Sequence, residues 1–200
     1  MTQSGPKVTA PSGVESGPVS AGGLETIVRA VRDAKAAPVE LWNPPYCGDI
    51  GLEIHSDGSW YYQNTPIARR SLVELFASVL RKDDDGQTYL VTPVEKILVR
   101  VADAPFLAVE MDVSGVGEAQ VLRFRTNLDT WVGVDAAHPL RLESQPATGG
   151  LKPYVRVRGR LDALVTRAIY LDLVALAQAG SVPPGEPVGV WSGGVWWPFA

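Results

Sequence analysis

The feature that most constrains this chain is an echo inside it. Leu90-Val91-Thr92-Pro93-Val94-Glu95 is answered by Phe124-Arg125-Thr126-Asn127-Leu128-Asp129, and Asp103-Ala104-Pro105-Phe106 is answered by Ala137-His138-Pro139-Leu140. A second echo pairs Arg69 to Phe76 with Arg167 to Val174, each with an arginine five residues ahead of an acid inside one apolar pattern. A Trp-rich hairpin stands near each, Gly58 to Tyr62 before the first and Gly194 to Trp197 after the second. Such self-similarity predicts a duplicated core built from a reused supersecondary unit. Unrelated hairpins also look alike when they use the same turn chemistry, so both explanations stay open at this level.

The repeated unit is a β one. Tyr89 to Thr92, Ile97 to Val101, Phe106 to Asp112, Gln120 to Thr126, Trp131 to Val134 and Leu140 to Glu143 are β-prone runs bounded by Pro, Gly, Asn or Asp. They predict a series of antiparallel strands. Ile50 to Ile54 and Trp60 to Tyr62 flank Asp57-Gly58, residues that tolerate positive φ, and predict a hairpin. Helical spacing recurs at Leu24, Ile27, Val28, Val31 and Ala34, and again from Leu72 through Phe76 and Leu80 to Arg81. A strand at Tyr154 to Val157 precedes a longer helix predicted from Leu161 to Ala179, stopped by Gly180 and Pro183. Val188 to Trp191 and Val195 to Trp197 then form a closing hairpin around Ser192-Gly193-Gly194.

The expected fold class is α+β, in two domains. Residues 1–23, rich in Ser, Gly, Pro and Thr without periodicity, read as a disordered tail. Residues 24–45 hold a helix and an extended strap, because Leu41-Trp42-Asn43-Pro44-Pro45 cannot be helical. An N-terminal α+β domain follows over 46–87, and a C-terminal β-rich domain with a long helix over 88–200.

Composition narrows the function classes. A net charge of −4, with acids and bases interspersed, offers no broad basic face to a duplex, so no nucleic-acid partner is expected. The longest apolar runs, such as Val195 to Phe199, are too short to span a bilayer, so no membrane partner is expected either. Met1 to Ala10 lacks a secretory pattern and Cys47 is the single cysteine, which points to a bacterial-type cytoplasm.

Polar residues gather in the two echoed turns. Thr92, Glu95 and Lys96 present a hydroxyl, a carboxylate and an ammonium at one loop, where binding groups often sit. The plainer alternative is a turn with a surface ion pair, which contributes roughly 0–1 kcal/mol. Arg125, Thr126 and Asn127 form the partner knot, suited to a phosphate or carboxylate, and the two knots are expected to face one pocket. Arg69 and Arg167 stand near helix starts, where anions are favoured. Most of the tryptophans read as core, with Trp191 and Ser192 as the ligand-facing exception.

An enzyme reading has less behind it. His55 and His138 are the two histidines, far apart, and no nucleophile elbow, phosphate loop or dinucleotide fingerprint accompanies them. Glu95 or Asp103 as a general base is the enzyme alternative. Cys47, Asp49, His55 and Asp57 match no standard metal spacing, and Asp83-Asp84-Asp85-Gly86 lacks a calcium loop's ligands, so no metal or cofactor is expected.

Several of these stretches also resemble the bacterial family designated domain of unknown function 1285. The resemblance lies in Leu41-Trp42-Asn43-Pro44-Pro45, Gly48-Asp49-Ile50, Asp57-Gly58-Ser59-Trp60-Tyr61-Tyr62, Leu72-Val73-Glu74-Leu75-Phe76, Leu90-Val91-Thr92-Pro93-Val94-Glu95-Lys96, Phe124-Arg125-Thr126-Asn127 and Val190-Trp191-Ser192-Gly193-Gly194. It departs at Gly51, where an acid is expected, and at Asn64, where glycine is. It implies a two-domain α+β fold with a duplicated core and a C-terminal part loosely like pleckstrin-homology folds. It implies no established activity, but a binding site between the domains for a nucleotide-like ligand and a role in signal transduction. The function expected is therefore that of a ligand-binding or signalling protein. The alternative is a protein-interaction module without a small-molecule ligand.

Overall fold

The computed structural model describes residues 23–34, 39–145 and 149–199. The predicted tail, apart from Gly23, and part of the loop after Ser144 lie outside the described residues. Helix α1 (Gly23–Ala34) buries Ile27 and Val31, four residues apart on one face, and packs against α2 (Arg70–Ser78). A single 3-10 turn at Val39–Leu41 opens the strap, which Arg81 holds by donating from Nη1 to the carbonyls of Val39 at 3.0 Å and Trp42 at 2.6 Å.

Two six-stranded sheets make the body. The first contains β1 (Tyr46–Ile54), β2 (Trp60–Tyr62), β3 (Thr65–Pro66), β4 (Leu80–Lys82), β5 (Thr88–Val91) and β6 (Lys96–Val101), in the order β3-β2-β1-β6-β5-β4. The second contains β7 (Phe106–Ser114), β8 (Val121–Thr126), β9 (Trp131–Gly133), β10 (Leu140–Ser144), β11 (Leu151–Arg158) and β12 (Leu161–Val165), in the order β10-β11-β12-β7-β8-β9. Both follow one scheme. Three strands meander, three more meander, and the last returns parallel to the first, β6 beside β1 and β12 beside β7. Helix α3 (Arg167–Ala179) and a hairpin of β13 (Gly189–Ser192) and β14 (Val195–Pro198) complete the chain.

The sequence echo maps onto this scheme at the level of the meander. The β5–β6 and β8–β9 hairpins are each the second and third strands of a meander. Residues 103–106 and 137–140 each lead from a third strand into the next first strand. One apolar core runs through both sheets and includes Trp60, Phe76, Leu122 and Phe124, all buried. No helix among the described residues is long and apolar enough to cross a membrane.

The structure differs from the sequence expectations in five places. Leu161 to Val165, expected as the start of the long helix, is strand β12; Leu161, Asp162, Ala163 and Val165 are buried, and the strand lies between β11 and β7. Periodicity does not separate a doubly buried strand from a buried helix. Leu80 and Arg81, read as helix, form the edge strand β4 beside β5, with α2 ending at Ser78; the buried Leu80 continues the apolar spacing of the helix. Strand β3 carries no signal in the sequence, because its turn uses Gln63 and Asn64, both at positive φ (47° and 63°), without a glycine to announce it. The central pair of each sheet is parallel rather than antiparallel. Finally, β5 and β6 complete the first sheet, so the change of sheet falls in the link 102–105 and not at 88.

Candidate functional site

The hydroxyls singled out from sequence hold backbone. Thr92 is fully buried, and its Oγ1 accepts the amides of Val94 at 3.3 Å and Glu95 at 3.2 Å. Thr126, also buried, accepts those of Leu128 at 3.3 Å and Thr130 at 3.1 Å. Ser192 accepts the Leu122 amide at 2.9 Å and donates to the Val134 carbonyl at 2.7 Å, tying the β13–β14 hairpin to the second sheet. Asn127 Oδ1 accepts the Leu107 amide at 3.1 Å.

The charged residues are mostly paired. Lys96 Nζ lies 3.1 Å from Asp83 Oδ2 and 4.5 Å from the centre of the Tyr89 ring. Arg125 lies 2.6 Å from both Glu110 and Asp129. Arg69 and Arg167 are exposed at the starts of α2 and α3. Glu95 is half-buried with Oε1 shut away from any hydrogen-bond partner, and burial pushes its carboxyl above the usual range. Trp191 meets Trp196 edge-to-face at 5.5 Å.

These residues do not share a pocket, which corrects the expected convergence of the two knots. The Lys96 amide bonds to the Pro45 carbonyl at 3.0 Å, beside the start of β1. Asn127 instead stands against Gly58, in the turn after β1 ends. The bulged β1 separates these points, alongside the six residues of β6, by roughly 15–20 Å. Trp191 and Ser192 sit elsewhere again, beside Gln120 and Leu122 at the opposite end of β8 from Thr126.

The cleft between the sheets is built from other residues. A cavity of about 580 Å³ is walled by the strap from Glu40 to Asn43, by β4 and its turn to Asp85, and by the turn from Arg158 to Leu161. A second cavity of about 280 Å³ adjoins it and is walled by Asp103, Arg141, Glu143, Tyr154 and Asp162. Lys82 and Arg160 line both, so they mark where the two cavities meet.

Most charges in this cleft are committed to the protein itself. Asp83 takes Arg81 at 2.5 Å as well as Lys96, and these cations, Arg81 foremost, hold its carboxyl below the usual range. Asp85 accepts from the Tyr89 hydroxyl at 2.7 Å and the Gln87 amide at 2.9 Å. Asp103 accepts from Lys152 at 2.5 Å and from the Tyr154 hydroxyl at 2.7 Å; burial and this carboxylate together push the Tyr154 phenol up. Asp162 accepts from Arg141 at 2.8 Å and Arg156 at 2.6 Å. Arg158 donates to the Ala77 carbonyl in the last turn of α2, where a cation is favoured, and burial lowers its pKa. Two cations stand apart: Lys82 forms no ion pair among the described residues, and Arg160 pairs with the exposed Asp84. A wall of this kind can bind and orient an anionic molecule. Among the described residues no group of three or more His, Cys, Asp or Glu is placed to hold a metal ion.

Sequence reasoning missed Lys82, Arg158 and Arg160. The available signal was Arg156-Val157-Arg158-Gly159-Arg160, three arginines alternating into a glycine turn.

Comparison with known proteins agrees with this division of the chain. Residues 37–104 match the N-terminal domain of unknown function (DUF1285), and residues 105–199 match the C-terminal domain of the same family. No curated protein matches. A crystal structure of a DUF1285 family protein from Silicibacter pomeroyi DSS-3 is 45% identical over 90% of this chain and 95% of its own, with a TM-score of 0.80. Another, from Shewanella baltica OS155, is 27% identical over 62% of this chain and 91% of its own, with a TM-score of 0.49. The two family models meet in the link between β6 and β7 and together run from 37 to 199, and on that match the chain belongs to the DUF1285 family.

Proposed function

We propose that this protein binds a small anionic, nucleotide-like molecule in the cleft between its two sheets. The observation that carries the reading is Lys82, an amine at the meeting of the two cavities with no ion pair among the described residues. The larger cavity, about 580 Å³, falls within the roughly 300–1,000 Å³ of small-molecule sites. Trp42, Leu80 and Leu161 give it apolar wall for a ring, and Lys82 with Arg160 gives it donors for an anionic group. Thermal denaturation against a panel of nucleotides and organic phosphates tests the reading. A true ligand at about a hundred times its Kd raises Tm by about 5–10 °C, and Lys82→Ala removes most of that rise. A flat panel overturns it.

A protein-interaction reading rests on a different place. An apolar groove of about 420 Å³ runs beside Trp191 and Trp196, and Val116 on its rim is 83% exposed. A signalling protein is the partner class this reading takes. Co-purification of a stoichiometric partner, lost on Val116→Asp while the metabolite panel stays flat, would place the function there. The C-terminal unit supports the expected likeness to pleckstrin-homology folds in having antiparallel strands followed by a helix. It departs from a wholly antiparallel pattern in its central β12–β7 pair.

A further inference from the structure

Resting on the cleft reading, we infer that Arg160 is the residue that grips the ligand's anionic group, and that Asp84 holds that place in the free protein. Arg160 stands on the turn between β11 and β12 of the second sheet, and Asp84 on the turn between β4 and β5 of the first. Their ion pair therefore spans the cleft, at the boundary of its two cavities.

The assignment follows from which charges are free to exchange. Asp83, Asp85, Asp103 and Asp162 are each held by two donors, and freeing any of them strands a cation, an amide or a hydroxyl. Arg81 secures the strap and Arg158 the end of α2. Asp84 has Arg160 alone among the described residues, and its side chain is 89% exposed, so water replaces that partner readily. A phosphate or carboxylate entering the cleft brings Arg160 a bidentate acceptor of the same sign as Asp84, with Lys82 lining the same two cavities as a second cation. Asp84 is thus a competitor for the ligand's seat, and it keeps the guanidinium paired until the ligand arrives.

The test uses inorganic pyrophosphate, which supplies the anion without a ring, and follows the arginine Nε–H signals of the full-length protein by NMR. The Arg160 signal, identified by its loss in Arg160→Gln, is expected to shift saturably. Asp84→Asn should tighten apparent binding about twofold to fivefold, the range of an exposed ion pair. Arg160→Gln should weaken it at least about tenfold, in line with a charge-assisted pair. The combined variant should bind no better than Arg160→Gln alone. Pyrophosphate binding that perturbs Lys82 but is indifferent to Asp84→Asn and Arg160→Gln overturns this inference and leaves the cleft reading standing. A cleft silent to pyrophosphate and to every nucleotide overturns both. Backbone spectra of the free variants matching the native protein show that the fold is intact.

Discussion

Thr92 and Thr126 stand, fully buried, at the same point of two hairpins, and each hydroxyl accepts two amides of the turn that follows it. The turn backbone is thereby satisfied from inside. Replacing Thr126 with valine keeps the shape but leaves the Leu128 and Thr130 amides without that acceptor, at a cost of about 1–3 kcal/mol. Thr126→Ser keeps the oxygen and should lose much less. Urea denaturation of the two variants measures the difference; equal midpoints would mean that the hydroxyl is not what holds the turn.

The Asp83 and Tyr89 neighbourhood gives stability a limit at each end of the pH scale. Asp83 is held below its ordinary value near 3.8, mainly by Arg81 and then by Lys96, so the folded state binds its proton less tightly than the unfolded chain does. Its contribution is present above the ordinary value and is lost as pH falls through the depressed one. Tyr89 runs the other way. The hydrogen bond to Asp85 and burial push its phenol from 10.0 up to about 12, so its contribution is full below pH 10 and is lost between pH 10 and about 12. The stability gap between the native protein and Tyr89→Phe should therefore be constant to pH 10 and close by pH 12. A gap of the same size at pH 9 and pH 12 would rule out the hydrogen bond as its source.

Glu95 shows the opposite sign for a carboxyl. Burial alone raises it, and its shielded Oε1 has no partner, so the charged form is better solvated in the unfolded chain. It therefore lowers stability as pH rises through its unfolded value toward the raised folded one, and the loss persists at neutral pH. Glu95→Gln should raise Tm at pH 7 and leave it nearly unchanged at pH 4. Thermal scans at the two pH values decide it; a variant less stable than the native protein at pH 7 would show that Glu95 has a stabilising partner.

The strands were legible because their edges carry turn residues and their bodies alternate. Phe106, Ala108, Leu122, Phe124 and Val132 are buried at positions the pattern marked as strand. The two stretches expected as helix and found as strand differ in cause. At Leu161 to Val165 the strand is covered on both faces, and a run of buried residues has no period to read; at Leu80 the one buried residue of β4 continues the apolar spacing of α2. The site was legible least of all. The Thr92 and Thr126 knots stand out in the sequence by recurring, and they recur because one turn device is used twice. Lys82, Asp84 and Arg160 come from two sheets and meet only when those sheets pack, so no spacing along the chain links residue 84 with residue 160.

Gly58 ties the first hairpin to the second sheet and gives the sharpest test of how the two units are joined. It adopts φ +79°, where a side chain is strained, and a Cβ there would lie 2.7 Å from Asn127 Nδ2 and 3.1 Å from Leu107 Cδ1. Asn127 is not free to yield, because its Oδ1 accepts the Leu107 amide at 3.1 Å at the start of β7. Gly58→Ala therefore costs the backbone strain and the loosening of that bond, together about 2–4 kcal/mol. In Asn127→Ala the side chain is absent, so adding Gly58→Ala should cost distinctly less than it does in the native protein. Denaturation midpoints of the two single variants and the double variant give the coupling directly. Strict additivity would mean that Gly58 acts through its φ alone, and that the contact between the β1–β2 turn and Asn127 contributes nothing to holding the sheets together.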